Sequence, residues 1–335
     1  MIFRMQETKK HRLPVLAIDL GGTKIIAAII SNEGQVIAKE YYLTLADEGV
    51  QPVINRIFSA VDHLLSLRNM GSSQLDSISI AAAGAINLEK GLITSSPNLP
   101  GWHDVPLRDI IEEKYRVKTF LINDANAAAL GEHCFGAGKG VNNLIYLTVS
   151  TGIGGGIIIN GELYSGSHGS AGEIGHMTID TNGPRCNCGN IGCWERLASG
   201  TAVAKEAIRR IRKGGKSCLT EMVEGKIENI TAEKVSRAAE RGDSLALEVI
   251  LKTATYLGVG LVNLVNIFNP EMIIIGGGMS KMGDLLLEPA RQTVKERAFP
   301  LAVEAVRIVP AQLGDDAGVL GAAVFARQQE LGRGE

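Results

Sequence analysis

Four side chains between His176 and Cys193 must reach one point if they act together, and no other stretch restricts the chain so tightly. The run Gly172-Glu-Ile-Gly-His-Met leads to Cys186-Asn-Cys-Gly-Asn-Ile-Gly-Cys193-Trp-Glu195, which holds three of the five cysteines. Three thiolates and one imidazole (His176, Cys186, Cys188, Cys193) suit Zn²⁺, and four protein ligands leave no open position. This reads as a structural metal site. Gly189 and Gly192 let the backbone wrap around an ion. The competing reading is a disulfide loop, or thiols that are merely neighbours. Glu173 and Glu195 flank the set without ligating, and their carboxylates call for another use.

A chain of 335 residues suggests one large or two medium domains. It is 45% hydrophobic and 21% charged, as in a soluble globular protein, and its net charge of −2 offers no basic footprint for nucleic acid. Cys134 and Cys218 stay unpaired if three cysteines bind metal, which argues against an oxidising compartment. Met1–Lys10 is polar and does not read as a signal peptide. The longest apolar stretch, Ala254–Phe268, is too short for a bilayer and reads as a buried or interface helix. The expected location is the cytoplasm, with no membrane partner.

Apolar runs at Val15–Leu20 and Ile25–Ile30, with an alternating run at Gln35–Leu43, read as a three-stranded meander whose first turn is Gly21-Gly22-Thr23. Asn143–Val149, the glycine-rich turn Ser150–Gly156 and Ile157–Ile159 repeat that plan, as two similar halves would. Helical periodicity marks Val50–Leu67, Pro106–Tyr115, Asn123–Cys134, Ala198–Arg212, Ala232–Arg241, Ser244–Phe268, Leu285–Arg297 and Asp315–Gln328. Further strands are expected at Ile78–Ala83, Val117–Ile122, Glu271–Ile275 and Ala305–Val309. The alternation implies an α/β architecture.

Several groups could carry chemistry. Gly21, Gly22, Thr23 and Lys24, and again Thr151 and Gly152, sit where exposed amides and hydroxyls form anion-binding concavities. Gly277 and Gly278 follow a strand, where backbone can lie against a flat ligand. Each turn alone could be only a tight turn, and neither is a Walker A loop. Asp19, beside the first turn, can hold Mg²⁺ through water. Asp124 opens a helix and reads either as its N-cap or as a general base. Asn98, Glu173, His176 and Glu195 are loop-borne groups of the kind that bind vicinal sugar hydroxyls. One nitrogen of His176 can ligate zinc while the other meets a hydroxyl.

Asp19-Leu-Gly-Gly-Thr-Lys24, Asn123-Asp-Ala-Asn126, Thr151-Gly-Ile-Gly-Gly-Gly156, Glu173-Ile-Gly-His176 and Cys186-x-Cys-Gly-Asn-x-Gly-Cys193-x-Glu195 together resemble the ROK family of sugar kinases and repressors, over nearly all of residues 14–330. The resemblance implies an actin-like (ribonuclease H-like) two-domain ATPase fold with the sugar in the interdomain cleft. The expected domains are 14–123 plus 316–330, and 124–315 with the zinc loop. It implies Asp124 as catalytic base, and Asn98, Asn123, Glu173, His176 and Glu195 as sugar contacts, with Gly84 beside the sugar. The glycine turns become phosphate loops, with Gly277 and Gly278 near the nucleoside, and ATP, Mg²⁺ and structural Zn²⁺ are the implied cofactors. Family members commonly form dimers, so a homodimer or higher homo-oligomer is expected.

Repressors of the family carry an N-terminal DNA-binding domain, and only about a dozen residues precede the first strand here. Pro97–Trp102 and Leu197–Ala202 resemble the bacterial glucokinases of the family. The expected activity is therefore phosphorylation of the 6-hydroxyl of glucose. Ala81-Ala-Ala-Gly84 departs from many of those enzymes, which have a proline before the glycine. N-acetylmannosamine or N-acetylglucosamine thus stays open as substrate, as does a non-catalytic, sugar-responsive regulator.

Overall fold

A run with no polar residue but a penultimate aspartate, such as Val15–Leu20, belongs in a sheet covered on both faces. In the computed structural model, which describes residues 13–331, that run is the centre of a five-stranded sheet. Met1–Lys10 lies outside the described residues. The first sheet takes β1 (Val15–Leu20), β2 (Lys24–Ile30), β3 (Val36–Leu43), β4 (Ser77–Ala82) and β8 (Thr119–Asn123), in the order β3-β2-β1-β4-β8. Strands β1 to β3 pair antiparallel, whereas β1, β4 and β8 run parallel. Between β4 and β8 lies a small antiparallel sheet of β5 (Ala85–Asn87), β6 (Leu92–Ser95) and β7 (His103–Val105).

The second five-stranded sheet takes β9 (Leu144–Val149), β10 (Ile153–Ile159), β11 (Glu162–Leu163), β12 (Met272–Gly276) and β13 (Arg307–Pro310), in the order β11-β10-β9-β12-β13. Numbered within each half, both sheets read 3-2-1-4-5. The duplication expected from the two glycine turns is a duplication of topology.

Helices cover these sheets. α1 (Val50–Leu67) buries Val53, Ile54, Ile57, Ala60, Val61, Leu64 and Leu65, the spacing of one helical face. It packs, with α2 (Leu107–Tyr115), against the core of the first sheet. α3 (Asp124–Phe135) follows β8 without a linker. The second half carries α4 (Glu195–Ala198), α5 (Gly200–Arg212), α6 (Leu219–Met222), α7 (Ala232–Glu240), α8 (Ser244–Phe268), α9 (Asp284–Arg297) and α10 (Pro300–Ala305), and the chain ends in α11 (Ala317–Leu331). α8 is long and apolar enough to cross a membrane by length and composition, but its most apolar window is 61% buried inside the fold.

By contacts the chain forms two units: up to Asn143, Gly156–Gly172 and from Gln312 onward in the first, and Leu144–Gly155 with Glu173–Ala311 in the second. The boundary expected at residues 123/124 falls instead after Asn143. The reason is the packing of α3 along α11, so close that a Cβ at Gly321 would strike the Ala127 carbonyl. Three element expectations also change. β10 begins at Ile153, so Gly154–Gly156 belong to a strand rather than a turn. A Cβ at Gly156 would lie 2.5 Å from that of Ala129 on α3, and glycine marks such close approaches in strands. The helix expected over Ala198–Arg212 is broken at Ser199, which caps α5 by accepting from the Ala202 amide. The strand expected from Ala305 starts at Arg307, because proline opens a short helix at Pro300.

One buried carboxylate has no precedent in the sequence reading. Glu132 on α3 is fully buried and accepts from the amides of Ala137 (2.9 Å), Gln312 (2.9 Å) and Leu313 (2.8 Å). It thereby fixes the approach to α11. Glu132→Ala leaves three donors without their acceptor, at about 1–3 kcal/mol for each that stays buried. Urea denaturation should show a loss of at least about 3 kcal/mol.

Candidate active site

The parallel strands β1, β4 and β8 end together, with Asp19 opposite Ala81 and Asn123 opposite Ala82. Ligands of parallel α/β sheets gather at such carboxyl ends. Asp19 and Asp124 therefore stand at the ends of the two strands that flank β4, close enough for the Asp124 charge to act on Asp19. Burial pushes the Asp19 carboxyl up to about 7; Asp124 adds to the shift and Lys24 opposes it. Burial also raises Asp124, against the amide bonds that stabilise its anion. Lys24 meets Asp315 at 2.6 Å on the surface.

The helix-cap alternative for Asp124 resolves onto its neighbour. Asn123 is the N-cap of α3: its Oδ1 accepts from the amides of Ala125 (3.0 Å) and Asn126 (3.2 Å). Its Nδ2 donates to the Gly84 carbonyl at 3.2 Å. Asn123 thus has its carbonyl engaged and at most one N–H left for a ligand. Asp124 follows at the first helical position, accepting from Ala125 N at 2.8 Å. Asn98 is exposed, held between the fully buried Leu99 and the chain before it, with Trp102 as a second anchor. A Cβ at Gly22 would lie 2.7 Å from the Asn98 carbonyl oxygen, so the first glycine turn rests against the Asn98 loop.

Both glycine turns share a device that sequence reading missed. In the first, Thr44 donates its hydroxyl to Gly21 O (2.7 Å) and its amide to Thr23 O (2.9 Å). In the second, Gly200 N donates to Ser150 O (2.7 Å) and the Thr201 hydroxyl to Thr151 O (2.8 Å). Each held carbonyl turns the N–H of the next residue the other way, which frees Gly22 N in the first turn and Thr151 N and Gly152 N in the second from backbone partners among the described residues. Successive free amides form an anion cradle. The only sequence signal was a hydroxyl some distance away, and spacing cannot identify it. Gly277 takes φ 82°, and a Cβ there would lie 2.5 Å from Val149 O at the end of β9. The third glycine turn therefore abuts the strand that feeds the second.

The second unit also brings the four proposed metal ligands together. The ligand atoms of His176, Cys186, Cys188 and Cys193 all lie within 4.8 Å of one another. Cys186 Sγ is 3.7 Å from His176 Nδ1, and Cys188 Sγ is 3.6 Å from Cys193 Sγ. Bonds of about 2.3 Å to a tetrahedral centre give edges of about 3.8 Å. A disulfide needs about 2.05 Å, and all five cysteines are free thiols. Burial pushes the Cys193 thiol up to about 12, the setting in which a thiolate needs a cation. The set therefore fits zinc. His176 Nε2 faces the other way, 3.8 Å from Glu173 Oε2. Glu195 opens α4 directly after the cluster and accepts from Ile153 N at 3.1 Å.

The sequence model of the ROK family matches residues 15–329. The chain belongs to the ROK family. This ROK chain is 37% identical over 321 residues to a glucokinase of Thermotoga maritima, covering 95% of itself and 98% of that protein. It is also 37% identical over 308 residues to a xylose repressor of Caldicellulosiruptor bescii, covering 92% of itself and 76% of the repressor. A ROK glucokinase of Streptomyces griseus, solved with glucose and AMPPNP, superposes with a TM-score of 0.82 at 34% identity over 94% of this chain and 99% of that one. The two-unit α/β architecture is thus the ROK kinase fold.

The Asp19 carboxyl makes a test within the first unit. Its folded pKa lies above the ordinary value, so between 3.8 and about 7 the folded state binds the proton more tightly than the unfolded chain. Stability then falls as pH rises through that window. Thermal melts from pH 4 to pH 8 should show that decline in the metal-free chain, and Asp19→Asn should flatten it.

Proposed function

We infer that this ROK chain is an ATP-dependent hexokinase that phosphorylates the 6-hydroxyl of glucose. The observation that carries the reading is the Asn123 cap. It releases Asp124 from helix duty at the strand ends, near the Asp19 carboxyl. Burial holds the Asp124 pKa above the usual carboxylate range, toward the pH at which a general base works best. Similarity over almost the whole length to the Thermotoga maritima glucokinase and to a glucose- and AMPPNP-bound relative supports the same reading.

In this reading Asp124 takes the proton of the sugar hydroxyl as its oxygen bonds to the γ-phosphorus of ATP. The bond from that phosphorus to the bridging oxygen breaks, and ADP leaves. In the first unit, Asn98, Gly84 and the remaining N–H of Asn123 hold sugar hydroxyls, while Gly21–Lys24 hold phosphate. In the second, Glu173, His176 Nε2 and Glu195 hold hydroxyls, Thr151 and Gly152 hold phosphate, and Gly277 and Gly278 lie against the nucleoside. Asp19 would hold Mg²⁺ through water, and the ion would neutralise phosphate charge. Zn²⁺ in the three-cysteine, one-histidine set would supply folding energy and fix the His176 ring. The oligomer is a homodimer or a higher homo-oligomer, as light scattering on the purified chain would check.

Asp124→Asn should lower kcat by at least about 10²–10⁴-fold and leave glucose affinity close to wild type. Near-normal turnover would return Asp124 to a structural role. A coupled assay over glucose, mannose, fructose, N-acetylglucosamine and N-acetylmannosamine separates the glucose reading from the amino-sugar one. The kinship with a xylose repressor gives the second reading, a sugar-responsive regulator, and glucose-dependent ADP release would exclude it.

Metal analysis should return about one zinc per chain. Cys188→Ser should lose that zinc and lower the melting temperature. A zinc-free wild type with the same melting temperature would remove the metal from the account.

A further inference from the structure

The segment from Glu195 to Thr201 touches the second glycine turn on both sides. Glu195 Oε2 accepts from Ile153 N at 3.1 Å, just past the turn. A Cβ on Gly152 would collide with that same carboxylate oxygen, so residue 152 must be glycine for Glu195 to sit there. At the other end, Gly200 N and the Thr201 hydroxyl hold the Ser150 and Thr151 carbonyls at 2.7 and 2.8 Å. The base of the segment is anchored: Trp194 is fully buried, and its Nε1 donates to Tyr256 O at 2.9 Å. The Glu195 carboxylate has a second oxygen, Oε1, which makes no hydrogen bond among the described residues.

We propose that Glu195–Thr201 is a strap in which Glu195 and Thr201 are positioning residues for the nucleotide turn, so that sugar engaged by Glu195 tightens the hold of Thr151 and Gly152 on phosphate. The inference rests on the hexokinase reading for the sugar and on the second unit's own geometry for the turn. A carboxylate is one rigid planar group. A hydroxyl bound to Oε1 fixes the torsions that place Oε2, and Oε2 fixes Ile153 N and the turn before it. Ordering done by the first ligand need not be done again by the second, so binding of each favours the other by the same factor.

The test is calorimetric titration of AMPPNP with Mg²⁺ into the full chain, with and without saturating glucose. In the wild type, glucose should lower the AMPPNP Kd by about 5-fold or more. Thr201→Val removes one hydrogen bond to the turn without changing shape. Without sugar it should weaken AMPPNP by about 3–10-fold, while glucose affinity measured alone stays within about 2-fold of wild type. In Glu195→Gln, and in Gly152→Ala, which drives the same two groups apart sterically, the effect of saturating glucose on AMPPNP should vanish. Melting curves confirm that each variant is folded. Wild-type AMPPNP affinity in Thr201→Val, or an undiminished glucose effect in both Glu195→Gln and Gly152→Ala, overturns the strap. If glucose does not bind the wild type at all, the hexokinase reading falls and the sugar coupling with it. The Thr201→Val titration with nucleotide alone then decides the positioning role.

Discussion

Two backbone turns can offer their amides because their carbonyls are held from behind. A tight turn left to itself exposes both kinds of dipole, and an anion finds as much repulsion as attraction. Thr44 in one unit, and Gly200 with Thr201 in the other, draw the carbonyls inward by hydrogen bonds of 2.7–2.9 Å. The remaining N–H groups then add instead of cancelling. The phosphate recognition proposed for these turns would thus depend on a few bonds made at the back of each.

The carboxyls at the ends of β1 and β8 work in the opposite sense. Burial makes them reluctant anions, and the Asp124 charge adds to the cost of ionising Asp19. That arrangement favours whatever relieves it: a proton, or a dication reaching Asp19. In the proposed reaction the two carboxyls would divide into an ion holder, Asp19, and a base, Asp124. The division of labour follows from two similar groups in unlike surroundings.

Much of this was legible in the chain itself. The meander, its second copy and the metal set follow from apolar runs, glycines and cysteine spacing, because these are local patterns with local causes. The extent of β10 was not legible, since three glycines in a row look like a turn until α3 is seen against Gly156. The choice between Asn123 and Asp124 as helix cap was equally hidden: both are good caps, and the bond from Asn123 to the Gly84 carbonyl tips the choice. Thr44 and Thr201 act on backbone far away in sequence, as does Glu132 through Gln312 and Leu313. No spacing rule reaches them.

The small sheet of β5, β6 and β7 has no counterpart between β12 and β13 among the described residues. It is an insertion in one half of a duplicated frame, and Gly84 and the Asn98 loop belong to it. An inserted ornament of this kind can be recut without disturbing strand order, glycine turns or the carboxyl pair. The frame keeps the reaction while the ornament is free to drift in taste. On the sugar contacts proposed for Gly84 and Asn98, a change of sugar within one lineage would be written in residues 83–105 before it reached the sheets.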